Sequence, residues 1–258
     1  MGKNKLKKFE QLAAYDHVIE SEFKDIFNKD HFLKGNWRRD YFKNDHPVVL
    51  ELGCGKGEYT VGLAGMFPHK NFIGIDIKGA RMHKGATDVL EKGLKNAAFL
   101  RTRIEFINSF FGTNEVDEIW ITFPDPQMKK PNKRLTATTF LQRYMAFVKP
   151  QGLIHLKTDS NFLYTYTYEL VRHNGLEIEV NETDLYHSDY ANDIRSLKTH
   201  YEQKWLGRGI AIKYLLFRLH AGKTLEEPEV EIEFDAYHSK GTGSRDKEWA
   251  AGERMSGR

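Results

Sequence analysis

The sequence predicts an α/β protein with a mostly parallel, seven-stranded sheet and helices on both faces. Three observations predict it. Short apolar runs alternate with segments of helical spacing from residue 48 onward, the first run passes straight into a glycine-rich turn, and carboxylates stand in or at the ends of several runs. Strands buried on both faces read as continuous apolar stretches, and alternation with helices demands crossover connections and therefore parallel pairing.

The elements follow in order. Residues 1–46 place Phe9, Leu12, Val18, Ile19 and Phe23 among charges at loose helical spacing, followed by Trp37-Arg38-Arg39-Asp40-Tyr41-Phe42. They are expected to form an extension packed on or beside a main domain spanning 47–222. Within that domain the runs Val48–Leu52, Asn71–Asp76, Ala98–Leu100, Glu118–Phe123 and Leu153–Thr158 read as strands. Glu58–Met66, Ala80–Leu94, Thr138–Val148 and Asn161–Val171 have helical spacing, and Leu176–Val180 and Ile210–Leu219 read as two later strands. The polar stretch between those two strands is too long for a plain connection, and such loops are usually functional or disordered. Residues 223–258 are expected to form an acidic strand, with acids from Glu226 to Asp235, and then a mobile Gly-, Ser- and charge-rich tail.

Composition narrows the class. With 258 residues, 40% hydrophobic and 13% aromatic, the chain has material for one packed domain with extensions. No run approaches the roughly 20 apolar residues a membrane span needs. The polar start, Met1 to Lys8, lacks the apolar core of a secretory signal. A single cysteine, Cys54, can form neither an internal disulfide nor a multi-cysteine zinc site. The expectation is a cytoplasmic protein with no membrane association and no metal, either monomer or homodimer. Net charge is only +3, but basic residues cluster at Lys3–Lys8 and at Lys129, Lys130, Lys133 and Arg134, where a polyanion would meet a local positive surface.

The strongest local signal is Val49-Leu50-Glu51-Leu52-Gly53-Cys54-Gly55-Lys56-Gly57-Glu58. Glycines at 53, 55 and 57 let a ligand approach the backbone at a helix start. Their spacing does not match the G-x-G-x-x-G dinucleotide fingerprint, which argues against a nicotinamide enzyme. Glu51 lies inside the strand, a costly place for an acid unless hydrogen bonds or a cation meet it. Asp76 ends the next strand, the position from which doubly wound folds bind ribose hydroxyls. Cys54 reads as a packing residue, since no neighbour marks an activated thiolate.

Further on, Phe123-Pro124-Asp125-Pro126-Gln127-Met128-Lys129-Lys130-Pro131-Asn132-Lys133-Arg134 brings a proline-flanked carboxylate to the carboxyl edge of the sheet, with cations immediately after it. A phosphate-bearing substrate could be held beside Asp125. Trp37-Arg38-Arg39 and the Lys3–Lys8 cluster are weaker candidates for contacts with a polyanion backbone.

Glu51, the Gly53–Gly57 turn and Asp76 resemble the motifs of class I S-adenosylmethionine-dependent methyltransferases, a Rossmann-like fold. The F-P-D-P element with its basic cluster, Thr158-Asp159, and Thr199-His200-Tyr201-Glu202 resemble, in order, the motifs of the bacterial tRNA (guanine-N7)-methyltransferases, over roughly Val48 to Arg218. The resemblance implies S-adenosylmethionine as methyl donor and tRNA as partner, with transfer to guanine N7, expected at position 46 of the variable loop. It implies that Glu51, Gly53, Gly55, Gly57, Asp76, Thr102 and Asp125 hold the donor. It makes Asp125 the catalytic residue, and Lys129, Asp159, Thr199, His200, Tyr201 and Glu202 substrate contacts. Two positions depart from the pattern: Gln127 stands where tryptophan is common, and Thr102 stands near the usual adenine-side aspartate. From residues alone, a protein or small-molecule acceptor and a non-catalytic RNA-binding module remain open.

Overall fold

The computed structural model describes residues 3–190, 194, 196–220 and 222–236. Eight strands form one sheet, in the order β1-β4-β3-β2-β5-β6-β8-β7. The strands are β1 Val18–Glu20, β2 Val48–Leu52, β3 Asn71–Asp76, β4 Ala97–Arg101, β5 Val116–Thr122, β6 Val148–Thr158, β7 Ile178–Glu182 and β8 Lys213–Leu219. Pairing is parallel from β1 through β6, and β8 runs antiparallel to both of its neighbours. The helices are α1 Lys3–Ala13, α2 Phe23–Ile26, α3 Glu58–Met66, α4 Gly79–Lys92, α5 Thr138–Met145, α6 Asn161–His173 and α7 His200–Leu206.

Strand alternation sorts the core into two layers. Leu50, Leu52, Ile119, Ile121, Ile154 and Leu156 face one cluster, which α5 and α6 complete through Phe140, Tyr144 and Leu163. Val49 and Trp120 face the other with Leu12 of α1, Tyr59 of α3 and Met82 of α4. Chain order reverses around β2, whose neighbours β3 and β5 lead away in opposite directions. The crevice beyond the carboxyl ends at such a reversal is where open α/β sheets hold ligands.

Two expectations need correction. The sheet has eight strands rather than seven, because Val18–Glu20, read as helical spacing, pairs in register with Phe99–Arg101. A three-residue strand is too short to display alternation. The acidic segment expected as a strand runs through 222–236 without strand pairing. Its acids serve as side-chain anchors instead: Glu227 accepts from the Thr138 amide and hydroxyl and from Tyr166, and Asp235 accepts from Ser160 and the Phe162 amide. The tail beyond 236 lies outside the described residues.

The N-terminal residues belong to the core. Trp37 is wholly buried in a π-helical turn over Trp37–Phe42, stacks on Phe111 and donates its indole N–H to the Phe110 carbonyl at 2.8 Å. Glu115 accepts from the amides of Gly35, Trp37 and Gly112. Arg38 is bound by Asp117 at 2.5 Å. Trp37 and Arg38 are therefore structural rather than RNA-facing, because their polar groups are already taken inside the fold.

Candidate active site

The glycine turn leaves the tip of β2 with Gly53, Gly55 and Gly57 all at positive φ, which side-chain-bearing residues rarely adopt. A Cβ on Gly57 would also meet the Phe99 ring at 2.6 Å. The turn is held from β3, since the Gly53 and Cys54 amides donate to the Ile75 carbonyl at 2.8 and 3.0 Å. Asp76 accepts from the Gly55 amide at 2.9 Å and from the Lys78 amide at 2.7 Å, so its carboxylate braces the turn from the end of β3.

Glu51 is buried on β2. Its carboxylate accepts from the Thr60 amide at 2.9 Å, the Thr60 hydroxyl at 2.6 Å and the Thr122 hydroxyl at 2.8 Å. Burial pushes its pKa up to about 7, against the opposing pull of those threonine bonds, and nearby Asp76 adds to the rise. The residues fit a small cationic ligand: glycines open the backbone, and a desolvated, pre-oriented carboxylate finds in a cation the charge the protein does not supply. Below pH 7 Glu51 is mostly neutral and attracts a cation weakly. Affinity for S-adenosylmethionine is therefore expected to rise about tenfold from pH 6 to pH 8. Glu51→Gln should flatten that profile, and calorimetric titration at several pH values checks it.

Thr122 closes β5 one residue before the Phe123-Pro124-Asp125-Pro126 element, so its bond to Glu51 ties the two motifs together. Asp125 is exposed and accepts from the Gln127 amide at 3.1 Å. Phe123 and Gln127, two residues to either side, both have positive φ, at 48° and 49°. With Pro124 and Pro126 between them, the carboxylate stands on a strained, stiff loop, the kind of backbone found where geometry serves a site.

Arg134, expected among the phosphate-meeting cations, is buried. It donates to the Met128 carbonyl at 3.0 Å, and its guanidinium lies over the Phe162 and Tyr166 rings at 4.8 and 4.3 Å. It staples the loop from beneath and has no solvent face for a phosphate. Lys129 and Lys130 are exposed, and Lys133 pairs with Glu105 at 2.9 Å.

Beyond β6, Asp159 is buried at the mouth of the edge, and its carbonyl accepts from Lys213 at 3.1 Å. Thr199 and Glu202 form a capping box on α7. Tyr201 brings its ring to 5.6 Å from Phe123, placing this element against the loop that carries Asp125, and His200 is exposed. Glu202, expected as a guanine contact, is instead wholly buried and pairs with Lys157 at 2.6 Å. Tyr186 donates to the same oxygen at 2.5 Å. Lys157 is itself wholly buried, reaches the Tyr59 and Tyr186 hydroxyls, and has its pKa lowered by desolvation while Glu202 pulls it up. Glu202 thus positions the element through Lys157 and does not face a substrate.

Thr60, Thr122 and Lys157 escaped the sequence reading. A lysine within the apolar run Leu153–Thr158 was the one signal present, since a buried cation demands a partner.

Among the described residues no group of three or more His, Cys, Asp or Glu could hold a metal, and no helix is long and apolar enough to cross a membrane. The fold and the site together define a methyltransferase, and a family model described as a putative methyltransferase matches residues 45–215. Solved structures agree on the fold. The chain is similar to an antibiotic-related methyltransferase (TM-score 0.54, 19% identity, 75% of this chain and 97% of the other) and to the 16S rRNA methyltransferase KamB (TM-score 0.56, 13% identity, 74% and 95%).

Closer relatives carry the name tRNA (guanine-N(7)-)-methyltransferase. That of Bacteroides thetaiotaomicron is 58% identical over 95% of this chain and 97% of its own length. Those of Porphyromonas gingivalis and Clostridium novyi are 53% and 38% identical, over 88% and 72% of this chain and 95% and 87% of their own lengths. The chain belongs to the tRNA (guanine-N7)-methyltransferase family.

Proposed function

We propose that this chain transfers a methyl group from S-adenosylmethionine to N7 of guanine in tRNA, in the cytoplasm, with guanosine 46 of the variable loop as target. The observation that carries the proposal is the Glu51–Thr122 hydrogen bond, which joins a cradle suited to a cation to the strand that presents Asp125. When bound, S-adenosylmethionine supplies an electrophilic methyl group on a sulfonium. Glu51 and the glycine turn would hold its methionine end and Asp76 its ribose.

Guanine N7 has a free lone pair, so no side chain needs to take a proton. The residues must orient the base and steady the charge that develops on it. Asp125 would do both, binding guanine donors and favouring positive charge on the purine. Asp159 is the second carboxylate at this edge, for guanine's N–H groups. Thr199, His200 and Tyr201 would contribute from the start of α7, where the Tyr201 ring lies against Phe123, and Lys129 would meet phosphates.

Incubating the protein with tritiated-methyl donor and, separately, unmodified tRNA, a protein mixture or small-molecule acceptors tests the substrate class. Label is expected in tRNA alone; label in either of the other acceptors contradicts the proposal.

A further inference from the structure

The segment 222–236 lies beyond the region matched by the family model, which ends at residue 215, and it is tied to both ends of α6. At one end Asn174, the C-cap of α6, accepts from the Glu226 amide and donates to the Glu226 carbonyl, both at 2.8 Å, and Leu225 is buried. Next along, Glu227 accepts from Tyr166 at 2.6 Å and from the Thr138 amide and hydroxyl at 3.1 and 2.7 Å. At the other end Asp235 accepts from the Ser160 hydroxyl at 2.5 Å and from the Phe162 amide at 3.0 Å, and Phe234 sits edge-on to Phe162 with ring centroids 5.4 Å apart. Ser160 is the N-cap of α6, and Phe162 lies in its first turn, where amides have no partner within the helix.

These anchors grip residues that in turn hold the substrate side of the site. Ser160 directly follows Asp159, so the Asp235 bonds fix the turn that carries the second carboxylate. Lys213 donates to the Asp159 carbonyl at 3.1 Å; burial lowers its pKa, and Asp159, Asp235 and Asp184 act against that fall, so both acids lie around one ammonium. Phe162 and Tyr166 are the rings over which Arg134 lies, and Arg134 holds the Met128 carbonyl in the loop that follows Asp125. The donor cradle is held separately, Glu51 by Thr60 and Thr122 and the glycine turn by Ile75 and Asp76.

We infer that segment 222–236 braces the substrate half of the site, with Asp235 a positioning residue that acts on Asp159 through Ser160. The inference rests on the reading of Asp159 as a guanine contact. The segment has no strand pairing and holds α6 by side-chain bonds at its two ends, so loosening it frees the Asp159 turn without opening the core. A small misplacement of an orienting group costs rate out of proportion to the stability lost.

Steady-state methylation of tRNA by the full chain tests it on Asp235→Ala, Asp235→Asn, Asp159→Ala and Asp159→Ala/Asp235→Ala, with calorimetric titration of S-adenosylhomocysteine and thermal unfolding in parallel. Asp235→Ala is expected to lower kcat/KM for tRNA about tenfold with S-adenosylhomocysteine affinity unchanged. Asp235→Asn should recover most of that loss, because an asparagine side chain can accept from the Phe162 amide and donate to Ser160. Added to Asp159→Ala, Asp235→Ala should cost nothing more, as follows for a residue that acts only through Asp159. An unchanged kcat/KM in Asp235→Ala overturns the inference. So does a loss that adds in full to that of Asp159→Ala, or one matched by a fall in S-adenosylhomocysteine affinity and in the unfolding midpoint, which would make Asp235 a residue of general stability. Asp159→Ala with wild-type kinetics refutes the guanine-contact reading itself, a distinguishable result.

Discussion

Asp125→Ala is expected to lower the rate of tRNA methylation by about 10²- to 10³-fold, the cost of removing one pre-oriented group that stabilises transition-state charge. The protein should remain folded, because Asp125 is exposed and its one hydrogen bond within the loop is to the Gln127 amide. Asp125→Asn separates two roles. It keeps the shape and an acceptor for Gln127 but loses the charge, so a rate as low as that of the alanine variant assigns the effect to electrostatics. Recovery to near the wild-type rate would assign it to orientation. Single-turnover measurements with tRNA in excess report the chemical step directly, and an alanine variant that methylates at the wild-type rate removes Asp125 from the mechanism.

The second large effect is on stability. Lys157→Met leaves the Glu202 carboxylate wholly buried without its cation, and breaking a buried ion pair from one side costs about 3–5 kcal/mol. The loss should appear as a lower denaturation midpoint with an unchanged slope. Lys157→Met/Glu202→Leu should recover much of it, because replacing both partners removes the stranded charge. Methylation should weaken mainly through a higher KM for tRNA, since the pair holds the Thr199–Tyr201 element against β6 and α3. A change under about 1 kcal/mol would mean that water reaches the pair and that it is worth no more than a surface bridge.

Much of the site was legible because it follows from local rules. The run Val48–Leu52 and the glycines after it need only apolar patterning and φ > 0, and both are found where expected. Asp76 is placed by its strand end alone. What escaped depends on partners distant in sequence. Arg134 looks like any cation of a basic run until Phe162 and Tyr166 of α6 close over it. Glu202 looks like a substrate carboxylate until Lys157, 45 positions earlier, is folded against it. The strand Val18–Glu20 has no pattern of its own, and it forms because β4 offers an open edge.

One edge of one sheet is proposed to carry both the donor cradle and the guanine site. Mass-spectrometric mapping of an unmodified tRNA transcript after incubation with the protein and S-adenosylmethionine tests this most directly. A single N7-methylguanosine in the variable loop is the predicted result. A methyl group on another atom or another nucleotide, or none after complete turnover conditions, would contradict it.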